Sequence, residues 1–107
     1  MTLSQQRCEF SENLAFLIIW ANSKGLKVAV DFVKRCEDCK VGHPRSFHKR
    51  GLAADLNLYR IGIDGELIWL DKTEDHEELG KIWEILGGTW GGRFKSPDGN
   101  HYSWGEK

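Results

Sequence analysis

No stretch of this sequence is long enough in apolar residues to cross a membrane. The apolar run from Leu14 to Ala21 falls well short of the roughly 18 residues a spanning helix needs. Ser11, Glu12 and Asn13 precede it without a basic lead-in, so it does not read as a signal peptide, and synthesis in a cytosol is expected. Charge of one sign is lacking as well: 15 Lys and Arg face 16 Asp and Glu, for a net charge of -1. That excludes a general basic field of the kind that attracts nucleic acid or anionic lipid. Cysteine is sparse and odd in number, at three, which argues against a disulfide framework. There is no internal repeat, linker or low-complexity tail, and 107 residues suit one modest core, so a single, monomeric domain over 1–107 is expected.

What is present is an ordinary globular composition, 40% hydrophobic and 29% charged, with five Trp. Indoles bury much area per residue, which helps a small core, and they can also line a groove. Phe10, Leu14, Leu17, Ile18 and Ala21 recur at helical spacing, predicting a helix over 4–24 with Ser4 as N-cap and Gly25 beyond its end. Leu26 to Phe32 reads as a strand and 33–51 as a long loop. Leu52 to Tyr59 alternates: Leu52, Ala54, Leu56 and Leu58 point one way, and Ala53, Asp55, Asn57 and Tyr59 the other. Asp64-Gly65 marks a hairpin returning through Glu66 to Leu70. Thr73 can cap a second helix whose acidic start suits the positive helix end; Leu79, Ile82, Trp83 and Leu86 form its apolar face, and Gly87 ends it. Residues 87–99 read as a Gly-rich loop and His101 to Trp104 as a last strand. With no regular βαβ repetition, the expected class is α+β: a mostly antiparallel sheet packed by two main helices, with a metal site in a cleft at the sheet.

The chemistry concentrates in two places. His48 and Asp55 lie seven residues apart, the carboxylate on a strand and facing away from the aliphatic core. Asp98-Gly-Asn-His101 brings a second imidazole near the end of the chain. Two His and one Asp make a three-ligand zinc set that leaves a fourth position for water, the layout of a hydrolytic metal. Asp98 is then left over as a carboxylate that can take a proton from water and return it to a leaving amine.

Ser46-x-His48-x-x-Gly51-x-Ala53-x-Asp55, followed by Trp90-Gly91-Gly92-x-Phe94 and Asp98-x-x-His101-Tyr102, resembles the zinc peptidases of bacterial cell-wall metabolism. That family holds the D-Ala-D-Ala carboxypeptidases, the vancomycin-resistance (VanY-like) peptidases and the phage L-alanyl-D-glutamate endolysins. The resemblance covers nearly the whole chain and looks closest to the small phage members. It implies Zn2+ held by His48, Asp55 and His101, with Asp98 as general acid/base. It also implies an Arg before the first motif, matched here to Arg35, that holds the substrate carboxylate or developing oxyanion. Arg45 and Arg50 are alternatives for that role. Ser46, Trp90 and Tyr102 are read as substrate contacts, although Ser46 could instead shape its loop and Trp90 could pack in the core.

The implied function is hydrolysis of the peptidoglycan stem peptide, with the L-alanyl-D-glutamate bond as first choice and D,D-carboxypeptidase activity as the alternative. The implied setting is a phage or prophage enzyme held in the host cytoplasm until it is released to the wall. A rival set, Cys36-x-x-Cys39 with His43 and His48, is compact enough for a structural zinc; it would make the domain a non-catalytic binding module and leave Asp55, Asp98 and His101 unexplained. His76, on an acidic turn, is read as solvated.

Overall fold

The computed structural model describes residues 1–31 and 51–105. Arg35, Cys36, Cys39, His43, Arg45, Ser46, His48 and Arg50 lie outside the described residues, as does all of the expected 33–51 loop except Gly51. The element order is α1 (Leu3–Ser23), β1 (Leu26–Val30), β2 (Ala53–Ile61), β3 (Leu67–Leu70), a 3-10 turn (Thr73–His76), α2 (Glu77–Leu86), β4 (Thr89–Trp90), a second 3-10 turn (Gly91–Arg93) and β5 (His101–Ser103). Among the described residues, two helices and a five-stranded antiparallel sheet give the expected α+β class.

Helix α1 starts one residue before the expected 4–24, because Thr2 rather than Ser4 is its cap. The Thr2 hydroxyl accepts the Gln5 N–H at 3.1 Å, and the Gln5 side chain accepts the Thr2 N–H at 2.7 Å. This reciprocal pair satisfies two backbone donors that a helix start otherwise leaves open. Phe10, Leu14, Leu17 and Ala21 form its buried stripe. Helix α2 also begins differently from expectation. No Thr73 hydroxyl cap forms; the chain enters through the 3-10 turn, where the Asp75 carboxylate accepts the Lys72 N–H at 3.1 Å. Gly87, at φ 109°, ends α2 as expected.

Strand β2 is the centre of the sheet. One edge carries β1, paired from Leu26↔Arg60 to Val30↔Leu56. The Asp31 N–H then donates to the Asp55 carbonyl at 2.8 Å, so the ladder runs one residue further. The other edge is shared by two strands: β5 pairs with Ala53–Asp55, and β3 pairs with Leu58–Ile61. Strand β4, which the sequence left within a Gly-rich loop, adds to the far side of β5 through Thr89↔Ser103 and Trp90↔Tyr102. At two residues it is too short to show an alternating pattern of its own.

The expected alternation of β2 decides where things go. Leu52, Ala54, Leu56 and Leu58 meet Phe10, Leu14, Leu17 and Ala21 of α1, together with Leu79 and Trp83 of α2, in one core. Trp83 is its hub, edge-on to Phe10 (centroids 5.9 Å apart, planes at 85°) and to Tyr102 (6.1 Å, 83°). Its indole N–H donates to the Ser103 carbonyl at 2.9 Å, so burying the ring strands no polar atom. Both helices therefore cover one face of β2, and Asp55 and Asn57 point to the opposite face.

Candidate metal centre

Asp55 and His101 sit directly opposite one another on β2 and β5. Opposed residues of an antiparallel pair share a face with Cβ atoms about 4.5–5.5 Å apart, so the register alone brings this carboxylate and imidazole together. Asp98 joins them through the turn that leads into β5. Its carbonyl accepts the His101 N–H at 3.1 Å, which folds the turn back over the strand start. Ligand atoms of Asp55, Asp98 and His101 all lie within 4.8 Å of one another. Asp55 and His101 are half-buried and Asp98 is exposed at the rim.

The turn is pinned from below. The Gly91 carbonyl accepts both the Asp98 N–H at 2.9 Å and the Phe94 N–H at 3.1 Å. A Cβ on Gly91 would lie 2.3 Å from the Asp98 carbonyl oxygen and 2.7 Å from the His101 Cβ. Gly91 in the Trp-Gly-Gly motif is therefore a close approach: only a hydrogen fits where the turn crosses it.

His101 is held on two further sides. Its Nε2 lies 3.0 Å from the Ser103 hydroxyl, and its ring packs 5.2 Å from that of Phe94 at 50°. Ser103 is fully buried. A side-chain partner on one imidazole nitrogen fixes the ring's orientation and tautomer, which a metal ligand needs. One imidazole and two carboxylates also make a borderline N/O donor set of the kind zinc accepts. The arrangement can hold a divalent metal and still present a carboxylate to solvent. The expected ligand His48 and the expected oxyanion Arg35 lie outside the described residues. Of the described arginines, Arg93 is near the site but is committed elsewhere: its guanidinium spans both Glu84 carboxylate oxygens at 3.2 Å and lies over Trp90 at 5.1 Å.

The expected substrate contact of Tyr102 is corrected, and of the two places open to Trp90, groove or core, it takes the core. Tyr102 is fully buried and Trp90 is 3% exposed, both in the core. Strand alternation explains it: His101 and Ser103 face the site, so Tyr102 between them faces inward, and Trp90, paired with Tyr102, follows. The Trp90 indole N–H donates to the Gly99 carbonyl at 2.8 Å, so this ring props the Asp98 turn from inside. The same alternation, applied to β5, carried the information that Tyr102 could not share a face with His101.

His76 is the second correction. Far from solvated, it is 3% exposed, with Nδ1 2.8 Å from the Tyr102 hydroxyl. Burial pulls its pKa down to about 4 against a smaller opposing pull from Asp75, and burial pushes the Tyr102 phenol up. No local signal in the sequence marks this contact, because it joins positions 26 residues apart. Ser103 was also missed, although period two from His101 points to it.

Comparison with known proteins agrees with this geometry. The family model described as D-alanyl-D-alanine carboxypeptidase matches residues 40–104, well over half of the chain. The crystal structure of the Serratia marcescens L-Ala D-Glu endopeptidase ChiX is similar in fold, with a TM-score of 0.62 at 17% identity, over 95% of this chain and 85% of that one. No curated protein sequence matches. With a family match across both the Asp55 strand and the Asp98–His101 turn, the chain belongs to the D-alanyl-D-alanine carboxypeptidase family, metallopeptidases that act on peptidoglycan.

Proposed function

We propose that this chain is a zinc-dependent endopeptidase that hydrolyses the L-alanyl-D-glutamate bond of the peptidoglycan stem peptide, with phage lysis of a bacterial host as its setting. The observation that carries the reading is the Asp55–Asp98–His101 cluster, with two strand-borne groups and one rim carboxylate. In this reading Asp55, His101 and His48 hold the ion. Bound there, zinc supplies Lewis acidity, lowering the pKa of water and polarising a carbonyl.

The protein's own groups do the rest. With the Ser103 hydroxyl accepting from the His101 Nε2–H, Nδ1 would be the nitrogen that holds the ion. Asp98, exposed and on a pinned turn, removes a proton from the attacking water. The water oxygen bonds to the carbonyl carbon, the C–N bond breaks, and Asp98 returns the proton to the departing amine. Arg35 steadies the developing oxyanion.

The D-alanyl-D-alanine description of the matching family favours a second reading, removal of a terminal D-Ala by the same groups. Incubation of the zinc-loaded protein with purified peptidoglycan, followed by mass analysis, separates the two. Fragments with a new amino terminus at D-Glu support the endopeptidase, and stems shortened by one D-Ala support the carboxypeptidase. No released fragment from zinc-loaded protein sinks both, and the Asp98→Ala protein should retain zinc yet release almost nothing.

A further inference from the structure

Two strands, β5 and β3, share one edge of β2 and leave a gap between them at Asn57. A cavity of about 210 Å³ fills that gap, with Asn57, Trp69, Lys72, His76, Asp98 and Asn100 among its walls. It adjoins the metal cluster in two ways. Asp98 belongs to both, and Asn57 lies on the face of Asp55, two residues or about 6–7 Å further along β2. A peptide with its scissile carbonyl at the cluster reaches this space within about two extended residues.

His76, which lines the cavity, carries a polar atom with no partner among the described residues. The buried Tyr102 hydroxyl has one hydrogen-bond partner among the described residues, His76 Nδ1. With no other acceptor for its hydrogen among the described residues, the phenol donates and Nδ1 accepts. His76 is neutral, its pKa lowered to about 4 by burial, so the remaining ring proton sits on Nε2. Among the described residues no group accepts from Nε2, although the residue is only 3% exposed. Buried donors are almost always satisfied, and one that lines a polar cavity is satisfied by what the cavity holds. With a water's share of about 30 Å³, this cavity takes several waters or one amino-acid unit.

We propose that the cavity between β3 and β5 is a substrate subsite, in which the His76 Nε2–H donates to an acceptor oxygen, carbonyl or carboxylate, of the stem peptide. This rests on the peptidase reading and adds the group that recognises the chain beside the scissile bond. Tyr102 is the positioning residue that holds the ring in the donating tautomer.

The test uses two substitutions. Asn at 76 sets an oxygen near the place of Nδ1 and keeps the Tyr102 bond, but has nothing at Nε2; Gln carries an amide out to the Nε2 position. His76→Asn should raise KM for a stem peptide about tenfold, the usual worth of one lost hydrogen bond, with kcat and zinc content near wild type. His76→Gln should recover most of the loss. Peptides that keep or lack the D-Glu α-carboxyl group, with γ-aminobutyrate in place of the γ-linked D-Glu, identify the acceptor: a penalty that vanishes when the group is absent marks it, and one that persists marks a backbone carbonyl. Independently of any change at 76, the His76 Nε2–H resonance should shift when peptide saturates zinc-loaded Asp98→Asn protein. A wild type that cleaves, beside a folded, zinc-loaded His76→Asn protein with unchanged KM, overturns the subsite alone. A wild type that does not cleave, beside a zinc-loaded Asp98→Asn protein with no peptide-induced shift, overturns the peptidase reading with it.

Discussion

Gly91→Ala is the sharpest single perturbation of this site, because the obstruction is fixed by backbone. The added methyl would begin 2.3 Å from the Asp98 carbonyl oxygen and 2.7 Å from the His101 Cβ, where 3.0 Å is the closest approach real Cβ atoms make. Neither obstacle is the tip of a flexible side chain, so the turn must rise by at least about 0.7 Å at Asp98. It cannot rise alone. Asp98 and His101 are tied by a 3.1 Å hydrogen bond, and the Asp98 N–H is tied to the Gly91 carbonyl itself. Two members of the cluster therefore move relative to Asp55, which stays on β2. Overpacking of this kind costs about 1–3 kcal/mol. In a domain of this size that is a fall in Tm of roughly 5–20 °C. A misplacement approaching 1 Å at a catalytic group costs about a hundredfold in rate. The assay is a thermal melt, a zinc competition titration and kcat/KM on a stem peptide. Gly65→Ala, in the exposed hairpin turn at φ 84°, is the control: it should lower Tm through backbone strain and leave turnover alone. Gly91→Ala protein with wild-type Tm, zinc affinity and turnover would refute the argument that this glycine positions the Asp98–His101 turn.

Other outcomes follow from the same geometry. Ser103→Ala should weaken zinc binding about 10- to 100-fold in a chelator competition while the melt shows a folded protein, because His101 loses the partner that fixes its ring; unchanged affinity would assign the 3.0 Å contact no role in binding. His101→Ala should abolish stoichiometric zinc and Cys39→Ser should keep it, and the reverse pattern would transfer the metal to the cysteine set. His76 makes stability depend on pH with a definite sign. Its folded pKa, about 4, lies below the ordinary 6.5, so the unfolded chain takes up the proton first as pH falls. Stability from this group is complete above pH 6.5, is lost between about 6.5 and 4, and totals on the order of 3 kcal/mol. Denaturant titrations across that window should show the loss in wild type and a flatter profile in His76→Asn.

Local pattern carried much of this protein in legible form. The apolar spacing of Phe10, Leu14, Leu17 and Ala21 is a helix face, and those four residues are its buried stripe. The alternation from Leu52 onward sends Ala54, Leu56 and Leu58 into the core and Asp55 out of it. Such periodicities are written residue by residue, so one sequence suffices to read them. Short elements are not written that way. The strand Thr89–Trp90 exists because β5 lies beside it, and the start of α2 turns on an Asp75 carboxylate reaching back to Lys72.

The sequence by itself determined the α+β class, the motif residues and the face on which Asp55 stands. Only the tertiary structure decided that β2 pairs with β5 in the register that sets Asp55 against His101, with Asp98 folded in beside them. It also turned Tyr102 and Trp90 inward, buried His76 against Tyr102, and opened the cavity where β3 and β5 part. The physical reason is the range of the interactions. Helix and strand periodicity comes from backbone geometry over a few residues, whereas pairing register and burial come from contacts between segments tens of residues apart, which no local pattern records.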